Sequence, residues 1–306
     1  MHSAPRPHAA GSAGEPPRDA PPRVARLLDL VAGDGAAPVD AVLSDVWGVL
    51  HNGVSAYPDA ARALREARKA GASVALITNS PRPREGVAAQ LASLGVSADC
   101  YDHLVTSGDV TRRLIREAGV PLHHVGPERD LPLYEGTGAA LAPEDGAEAV
   151  VVTGLFDDER ETPSDYAEAL SRFRDRGLPM IVANPDIVVE RGERLIWCAG
   201  ALARDYRAIG GETRVAGKPH APIYEAALAM ITEARGEAPR RVLAIGDGMP
   251  TDVRGALDFG LPLLFVAGGI HQHEYGGAEA DPEALGRFLA ENGAATGVVG
   301  WMPRLG

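Results

Sequence analysis

The amino-acid sequence predicts an α/β protein with a doubly wound parallel-sheet core and an inserted α/β cap domain. Apolar strands alternate with helices at both ends of the chain, which is typical of a parallel sheet covered by helices on both faces. A less regular, turn-rich block separates these two regions. Three of the apolar strands end in polar residues, and open parallel sheets form their sites at the carboxyl ends of strands.

The first region alternates short apolar strands with helices. One helix is delimited by Pro58 near its start and Gly71 at its end, the positions that these two residues favour. The predicted elements are a helix at 24–31, a strand at 41–46, a helix at 58–71, a strand at 73–79, a helix at 83–95, and a strand followed by a helix within 103–119.

The middle block, about residues 120–213, has the size of an inserted domain. Its predicted strands are "LHHVG", "AVVVTG" and 178–184, and its predicted helices are 164–177 and the second part of 193–211, which begins as a strand or turn. The first pattern then returns as a helix at 223–236, a strand at 241–247, a helix at 253–260 and a last strand at 261–269. We therefore divide the chain into a disordered tail (1–23), a first core segment (24–119), the cap (120–213) and a second core segment (214–306).

Composition narrows the class of protein. The 306 residues predict about two domains, and 45% apolar with 24% charged residues is ordinary for a soluble globular chain. The net charge of −12 argues against nucleic acid or an anionic membrane surface as the main partner. The sequence contains no membrane-spanning apolar run and no signal-peptide core near its start. Cys100 and Cys198 are expected to pack as apolar residues in a reducing cytoplasm, although the sequence leaves a disulfide open.

Polar residues of complementary chemistry follow the core strands. The strand-end residues are Asp45, Thr78 with Asn79, and Asp247. Lys218 lies on a loop just before a helix, and Asp252 comes five residues after Asp247. Converging carboxylates require a cation, and oxygen ligands favour Mg²⁺. An aspartate next to a metal can attack phosphorus, and a hydroxyl and a lysine can stabilise the transferring group.

These residues lie in four motifs: "DVWGVLHNG", "ITNSPRP", "GKPHAPIY" and "GDGMPTDVRGA". In order and spacing they resemble the four motifs of the haloacid dehalogenase-like (HAD) hydrolases, over roughly residues 38–270. The large insertion between the second and third motifs resembles subclass IIA, the NagD-like or sugar-phosphatase-like group. The resemblance implies a Mg²⁺-dependent phosphohydrolase that forms an aspartyl phosphate.

The resemblance also assigns roles to individual positions. Asp45 takes the position of the nucleophile, Lys218 that of the motif-three lysine, and Thr78 that of the phosphate-binding hydroxyl, while the backbone of Asn79 is expected to face phosphate. The metal ligands implied are the carboxylates of Asp45, Asp247 and Asp252 and the backbone carbonyl of Trp47.

Trp47 departs from the pattern of the family. Most of its phosphatases have a second aspartate there, which protonates the leaving oxygen, and losing such an acid typically costs about 10²–10⁴ in rate. Three interpretations stay open: a phosphatase whose acid comes from elsewhere, with His51 as a candidate; an enzyme for a bond that needs no acid, such as a phosphonate; and a weak enzyme that chiefly binds a phosphorylated ligand.

The cap is expected to choose the substrate. Asn184 and Asp186 in "ANPDIV" are candidate substrate-binding residues, or members of a structural Asn-Pro-Asp turn. A small phosphorylated metabolite, resembling a sugar phosphate or a cofactor, is the substrate class that the family implies. A homodimer formed through the caps is compatible with that group.

Overall fold

The computed structural model describes residues 20–33 and 38–306. Its core is a six-stranded sheet in which every neighbouring pair is parallel. Numbered in chain order, these strands are β1 (Ala41–Ser44), β2 (Ser73–Thr78), β3 (His103–Thr106), β10 (Val242–Gly246), β11 (Leu263–Val266) and β12 (Val298–Met302). They lie in the order β12, β11, β10, β1, β2, β3, so β1 and β10 are central.

Helices cover both faces of this sheet. Val42 packs into one apolar cluster with Leu64, whereas the adjacent Leu43 packs into another with Ile223 on the opposite face. Burial on both faces explains why β1 is a continuous apolar run and shows no alternation with polar residues. The core helices are α1 (Leu27–Val31), α2 (Pro58–Lys69), α3 (Arg84–Ser93), α4 (Ser107–Ala118), α7 (Ala221–Arg235), α8 (Arg254–Asp258) and α9 (Pro282–Glu291).

The cap has its own parallel sheet and an antiparallel hairpin. The sheet consists of β4 (Leu122–Val125), β5 (Ala149–Val152), β6 (Met180–Val182) and β9 (Thr213–Val215) in that order. The hairpin pairs β7 (Val188–Arg191) with β8 (Arg194–Trp197). Helices α5 (Ala167–Asp175) and α6 (Ala199–Ala208) pack on the sheet through Phe173 and Leu202.

The predicted fold class is confirmed: a parallel α/β core carries an inserted α/β cap. Most of the predicted tail, 1–23, lies outside the described residues; of its last four, Pro22 accepts a hydrogen bond from Trp301 N at 3.1 Å. The cap strands run from Leu122 to Val215, two residues past the predicted boundary. Cys100 and Cys198 are free and buried. Within the described ranges, no helix combines the length and apolarity needed to cross a membrane.

Two details of the prediction were wrong or incomplete. The strand predicted at 261–269 is not the last, because α9 and β12 follow it. The segment before residue 193 also forms a strand, β7, which pairs with β8 across a turn at Gly192. This hairpin lies over the carboxyl ends of the core strands and lines the site described next.

Candidate active site

Asp45 follows β1 directly, at the centre of the core sheet. Its backbone N–H donates to the carbonyl of Ile245 at 2.9 Å, which extends the pairing of β1 with β10 by one residue. The residue is only 6% exposed and lines a cavity between core and cap. A strand-end carboxylate is thereby fixed at the floor of that cavity.

The glycine of "DVWG" allows the turn after Asp45 to press against a second carboxylate. Gly48 has a φ of +84°, and a Cβ added there would lie 2.3 Å from Asp247 Oδ2. A side chain would be both strained and in collision, so the position requires glycine. The backbone at Gly269 approaches Asp247 just as closely, since a Cβ there would lie 1.9 Å from the same oxygen.

Three buried carboxylates converge at this point. Oxygens of Asp45, Asp247 and Asp252 all lie within 4.8 Å of one another, and among residues 20–33 and 38–306 this is the only group of three or more His, Cys, Asp or Glu placed to hold an ion. Asp247 Oδ2 accepts a hydrogen bond from the backbone of Ile270 at 2.8 Å, and Asp252 Oδ2 accepts one from Gly248 at 3.0 Å. Backbone donors therefore orient two of the three acids.

Lys218 is the cation of this cluster. Its Nζ donates to Asp45 Oδ1 at 2.5 Å and to Asp252 Oδ1 at 2.6 Å, and the residue is only 2% exposed. Its backbone N–H donates to Asn79 Oδ1 at 2.7 Å. The loop before α7 is thus attached to the end of β2, which holds the ammonium between two carboxylates.

One ammonium does not balance three carboxylates. Burial, reinforced by Asp252, raises the pKa of Asp45 well above its usual range and raises that of Asp247 to about 7. Burial opposes the charged form of Lys218, but Asp252 and Asp45 outweigh it and raise the pKa of the lysine. Negative charge in this cluster is therefore under-compensated by the protein alone.

The oxygen ligands of this cluster fit a magnesium ion. Carboxylate oxygens are the ligands that Mg²⁺ prefers, and their mutual spacing allows them to share one ion. The excess negative charge gives a divalent cation an electrostatic reason to bind. Asp45, Asp247 and Asp252 would hold it, with the Trp47 carbonyl as the further ligand that the family pattern implies.

Thr78 and Asn79 lie at the end of β2, beside the cluster, and the two have different surroundings. Both residues line the same cavity as Asp45. The Asn79 amide is engaged, because its Nδ2 donates to Asp186 Oδ1 at 2.8 Å and to the Lys218 carbonyl at 3.1 Å. The Asn79 side chain therefore joins core, lysine loop and cap, which leaves its backbone for the predicted contact with phosphate.

Two adjacent cavities occupy the junction of core and cap, each of about 320 Å³. The first, which we call the catalytic cavity, contains eight of the nine predicted site residues: Asp45, Trp47, Thr78, Asn79, Asp186, Lys218, Asp247 and Asp252. The second, the cap-side cavity, contains Asn184. The two share Trp47, Thr78, Asp186 and Val189 as a common wall.

Trp47 connects the core to the cap. Its indole N–H donates to the backbone carbonyl of Glu190 in β7, and its ring meets that of His51 edge to face at 5.0 Å. Gly53 makes room, since a Cβ there would lie 2.4 Å from the indole. The tryptophan thus fastens the cap hairpin over the cavity.

His51 is poorly suited to replace that acid. It is buried, and its Nδ1 accepts a hydrogen bond from Gly53 N at 2.9 Å. Burial, together with Arg82, lowers its pKa to about 4. The ring is consequently neutral near pH 7, and it acts as a structural member of the turn.

Some cavity residues were not predicted. Glu190 and His271 line the catalytic cavity, and Arg82, Arg129 and Arg191 line the cap-side cavity. His271 Nε2 accepts a hydrogen bond from Met249 N at 3.1 Å, which fixes the loop that carries Asp252. The "PRP" of the second motif was a signal for Arg82, whereas the cap arginines carry no local signal and are placed only by the docking of the cap.

Two family models match the chain. A model described as haloacid dehalogenase-like hydrolase matches residues 42–140, and one described as HAD-hydrolase-like matches residues 215–291. The matched segments include Asp45, Thr78, Lys218, Asp247 and Asp252. The residues between the two matches, 141–214, lie in the cap.

Individual proteins show the same likeness. A solved hydrolase of the haloacid dehalogenase-like family from Brucella suis 1330 shares 49% identity and a TM-score of 0.81, over 92% of this chain and 99% of that one. D-glycerol 3-phosphate phosphatase from Mycobacterium tuberculosis is 32% identical over 76% of this chain, which spans only 64% of that relative. A glycerol phosphate phosphatase structure from Mycobacterium tuberculosis in complex with magnesium shares 29% identity and a TM-score of 0.59, over 80% of this chain and 73% of that one.

The position of the cap agrees with these matches. It is inserted after the second motif, which ends near α3, and before Lys218 of the third. With a relative that is 49% identical over almost its entire length and family models on both core segments, the chain belongs to the haloacid dehalogenase-like hydrolases, in subclass IIA.

Proposed function

We propose that this protein is a Mg²⁺-dependent phosphohydrolase that acts on a small phosphorylated metabolite through an aspartyl phosphate on Asp45. One observation carries the proposal: the Asp45 carboxylate, the Lys218 ammonium and two further carboxylates converge in one buried cluster at the strand ends. This combination supplies a nucleophile, a counter-charge and a metal site at one point.

The reaction has two steps. A carboxylate oxygen of Asp45 attacks phosphorus, the bond from phosphorus to the leaving oxygen breaks, and that oxygen takes a proton. Water then attacks the same phosphorus, which releases inorganic phosphate and regenerates the Asp45 carboxylate. Both steps require that the cavity admit the phosphoryl group and restrict bulk water, and the hairpin fastened by Trp47 covers the cavity for that purpose.

Neighbouring residues stabilise the charge that moves. Lys218 Nζ, 2.5 Å from Asp45 Oδ1, lies where it neutralises charge on the attacking carboxylate and the transferring group. The Thr78 hydroxyl and the backbone after β2 are the donors for the phosphoryl oxygens. A bound magnesium ion would add Lewis-acid polarisation of those oxygens.

The relatives support the substrate class. One is named for D-glycerol 3-phosphate, and a glycerol phosphate phosphatase of the same fold was crystallised with magnesium. A small organic phosphate is the corresponding substrate here. The cytoplasmic location and the homodimer stay predictions.

Asp186 is the best-placed source of the proton that Trp47 cannot give. Its carboxyl lines both cavities, at the wall that a leaving group would cross, and Asn79 Nδ2 holds it from the core side. Burial raises its pKa to about 6, against the opposing influence of Lys218. A carboxyl with a pKa near the working pH is suited to general acid catalysis.

Replacing Asp186 by Asn should therefore separate substrates by leaving group. Hydrolysis of an alkyl phosphate is expected to slow by about 10²–10³-fold, whereas an activated aryl phosphate, whose leaving group needs no proton, should slow far less. In the wild type, the alkyl rate should decline as the pH rises above about 6, because the proton donor is lost. Steady-state kinetics on both esters across pH measure this.

The control is Asp205→Asn, a half-buried residue of α6 in the same cap that pairs with Arg204 at 2.8 Å and lines neither cavity. It should change neither rate. Equal losses on alkyl and aryl substrates in the Asp186 variant would assign that residue to positioning and leave the source of the proton elsewhere.

The proposed function itself is tested by phosphate release with Mg²⁺ from an aryl phosphate and from a panel of glycerol, sugar and cofactor phosphates. We expect turnover that a chelator abolishes and Mg²⁺ restores. Turnover of the aryl ester alone would indicate an enzyme for a bond that needs no acid. Binding of Mg²⁺ and phosphate without any turnover would favour a ligand-binding protein.

A further inference from the structure

The cap-side cavity lies where a substrate's leaving group would extend. It shares Trp47, Thr78, Asp186 and Val189 with the catalytic cavity, so a phosphoryl group held near Asp45 would direct the rest of its molecule past this wall. At about 320 Å³, the cavity suits a small organic group. Its lining therefore determines which phosphorylated molecule fits.

Two of its three guanidinium groups share one carboxylate. Asp158 Oδ2 lies 2.6 Å from Arg129 Nη2 and 2.8 Å from Arg191 Nη2. Asp158 is largely buried, with its side chain 10% exposed. Arg191 Nη1 also lies 3.9 Å from Glu159 Oε1, so two carboxylates already face the two cap arginines.

The third guanidinium, Arg82, has a neutral hydrogen-bond partner. Arg82 Nη2 donates to the side-chain oxygen of Gln90, and no carboxylate among residues 20–33 and 38–306 lies within 4.0 Å of the Arg82 guanidinium. Burial lowers the pKa of Arg82; Asp130 opposes this effect and the two cap arginines add to it. A half-buried cation of this kind is stabilised when an anion enters.

The remaining acids of the cavity compensate the positive charge of Arg82 only weakly. Asp130 is buried, and burial raises its pKa; Asp186 is held by Asn79. Apolar side chains from Leu155, Ile196 and Trp197 line the same space, where a carbon skeleton could pack between the two anion-binding ends.

We propose that the cap-side cavity binds a second acidic group of the substrate through Arg82, so that the preferred substrate is an organic phosphate with a further carboxylate or phosphate group. This inference rests on the proposed function, because it takes the phosphoryl group to be held near Asp45. Arg82 is the specificity-determining residue, because the two cap arginines, Arg129 and Arg191, are already paired with Asp158 and Glu159.

Binding of inert phosphonates tests the site independently of turnover. Calorimetry in Mg²⁺ compares alkylphosphonates with ω-carboxyalkylphosphonates and with ω-phosphono analogues of the same chain lengths, over a series of lengths. At one length, the second acidic group is expected to tighten binding by about 10- to 100-fold. The carboxylate and phosphonate arms show which acid is preferred.

The gain is expressed as the ratio of the affinity for the diacid to the affinity for the alkylphosphonate of the same length. Arg82→Gln should reduce this ratio to near unity, and Arg82→Lys should retain part of the gain. The matched control is Arg84→Gln, because Arg84 lies two residues away, pairs with Asp109 at 3.0 Å and is absent from the cavity lining; its ratio should equal that of the wild type. Thermal melts confirm that each variant is folded.

The outcomes separate the two proposals. Tight binding of alkylphosphonates with no gain from a second acidic group at any length overturns the inference and leaves the phosphohydrolase intact. A gain that survives in Arg82→Gln also overturns it. Failure of every phosphonate to bind, together with absent phosphate release, overturns both.

Discussion

Asp45→Asn is expected to reduce phosphate release by about 10⁴–10⁶-fold, the range seen when a covalent nucleophile is removed. Asparagine keeps the shape of the side chain, but its amide cannot attack phosphorus to form the acyl phosphate. The loss should be similar for aryl and alkyl phosphates, because both pass through the same covalent step. Measuring inorganic phosphate under saturating Mg²⁺ tests this.

The same substitution should not destabilise the metal-free protein. Burial and Asp252 raise the pKa of Asp45, and the pKa of Asp247 rises to about 7. A carboxyl with a higher pKa in the folded than in the unfolded chain binds its proton more tightly when folded. Folding stability in a chelator therefore falls as the pH rises from about 4 toward 7.

Asparagine removes one of these titrations. In a chelator above pH 7, Asp45→Asn should melt at the same temperature as the wild type or higher, with a shallower dependence on pH. A variant that is inactive because it is unfolded would contradict this account of the cluster. Asp59→Asn, on the exposed first turn of α2, is the control for the chemical change.

Lys218→Met is expected to lower both stability and activity. Nζ of Lys218 is bonded to Asp45 and to Asp252 in a buried site, and removing one partner of such a group costs about 3–5 kcal/mol. Loss of the charge that stabilises the transferring group should lower kcat by about 10²–10³-fold. Urea unfolding and steady-state kinetics measure the two effects.

The chain provides an unusually clean control. Lys69 is its only other lysine; it lies exposed at the end of α2, and Lys69→Met should change neither quantity. The loss of folding stability in Lys218→Met should be greater at pH 8 than at pH 5. At low pH, protonation of the unpaired carboxylates removes the buried negative charge that no longer has a counter-charge. A loss that is independent of pH would show that packing, and not charge, is what the lysine supplies.

The core strands were predictable because of how they are buried. A strand covered on both faces must be apolar throughout, as Val42 and Leu43 show by packing on opposite sides, and its sequence is then unmistakable. β12 lies at the edge of the sheet, where Val299 is exposed and a Cβ on Gly300 would lie 2.4 Å from Val24. The apolar sequence of this strand, VVGWM, is interrupted by Gly300, and the strand was missed.

The cap hairpin was missed for a related reason. The residues of β7 are all half-buried, and those of β8 mix exposed with buried positions. Neither strand therefore shows a clear alternation of apolar and polar residues. Besides its pairing with β8, β7 is held by a partner far away in sequence, the indole of Trp47. Contacts of this kind depend on how the cap docks, and no local pattern encodes them.

The chemistry of the site was more predictable than its specificity. Asp45, Thr78, Asp247 and Lys218 were found because parallel strands bring their carboxyl ends to one edge. The sequence also showed that Trp47 lacks an acid, but it could not show what Trp47 does in its place. The cap-side cavity, which Arg82 lines together with residues of the cap, forms only when the cap docks on the core.

The most direct test of the central claim is to look for the phosphoryl group on Asp45. The enzyme is mixed with an aryl phosphate and Mg²⁺, quenched in acid within the first turnover, digested, and examined by mass spectrometry. The account predicts a phosphoryl group on the peptide that contains Asp45, labile to hydroxylamine and missing from Asp45→Asn. First-turnover phosphate release with no such adduct, or with an adduct on another residue, would contradict it.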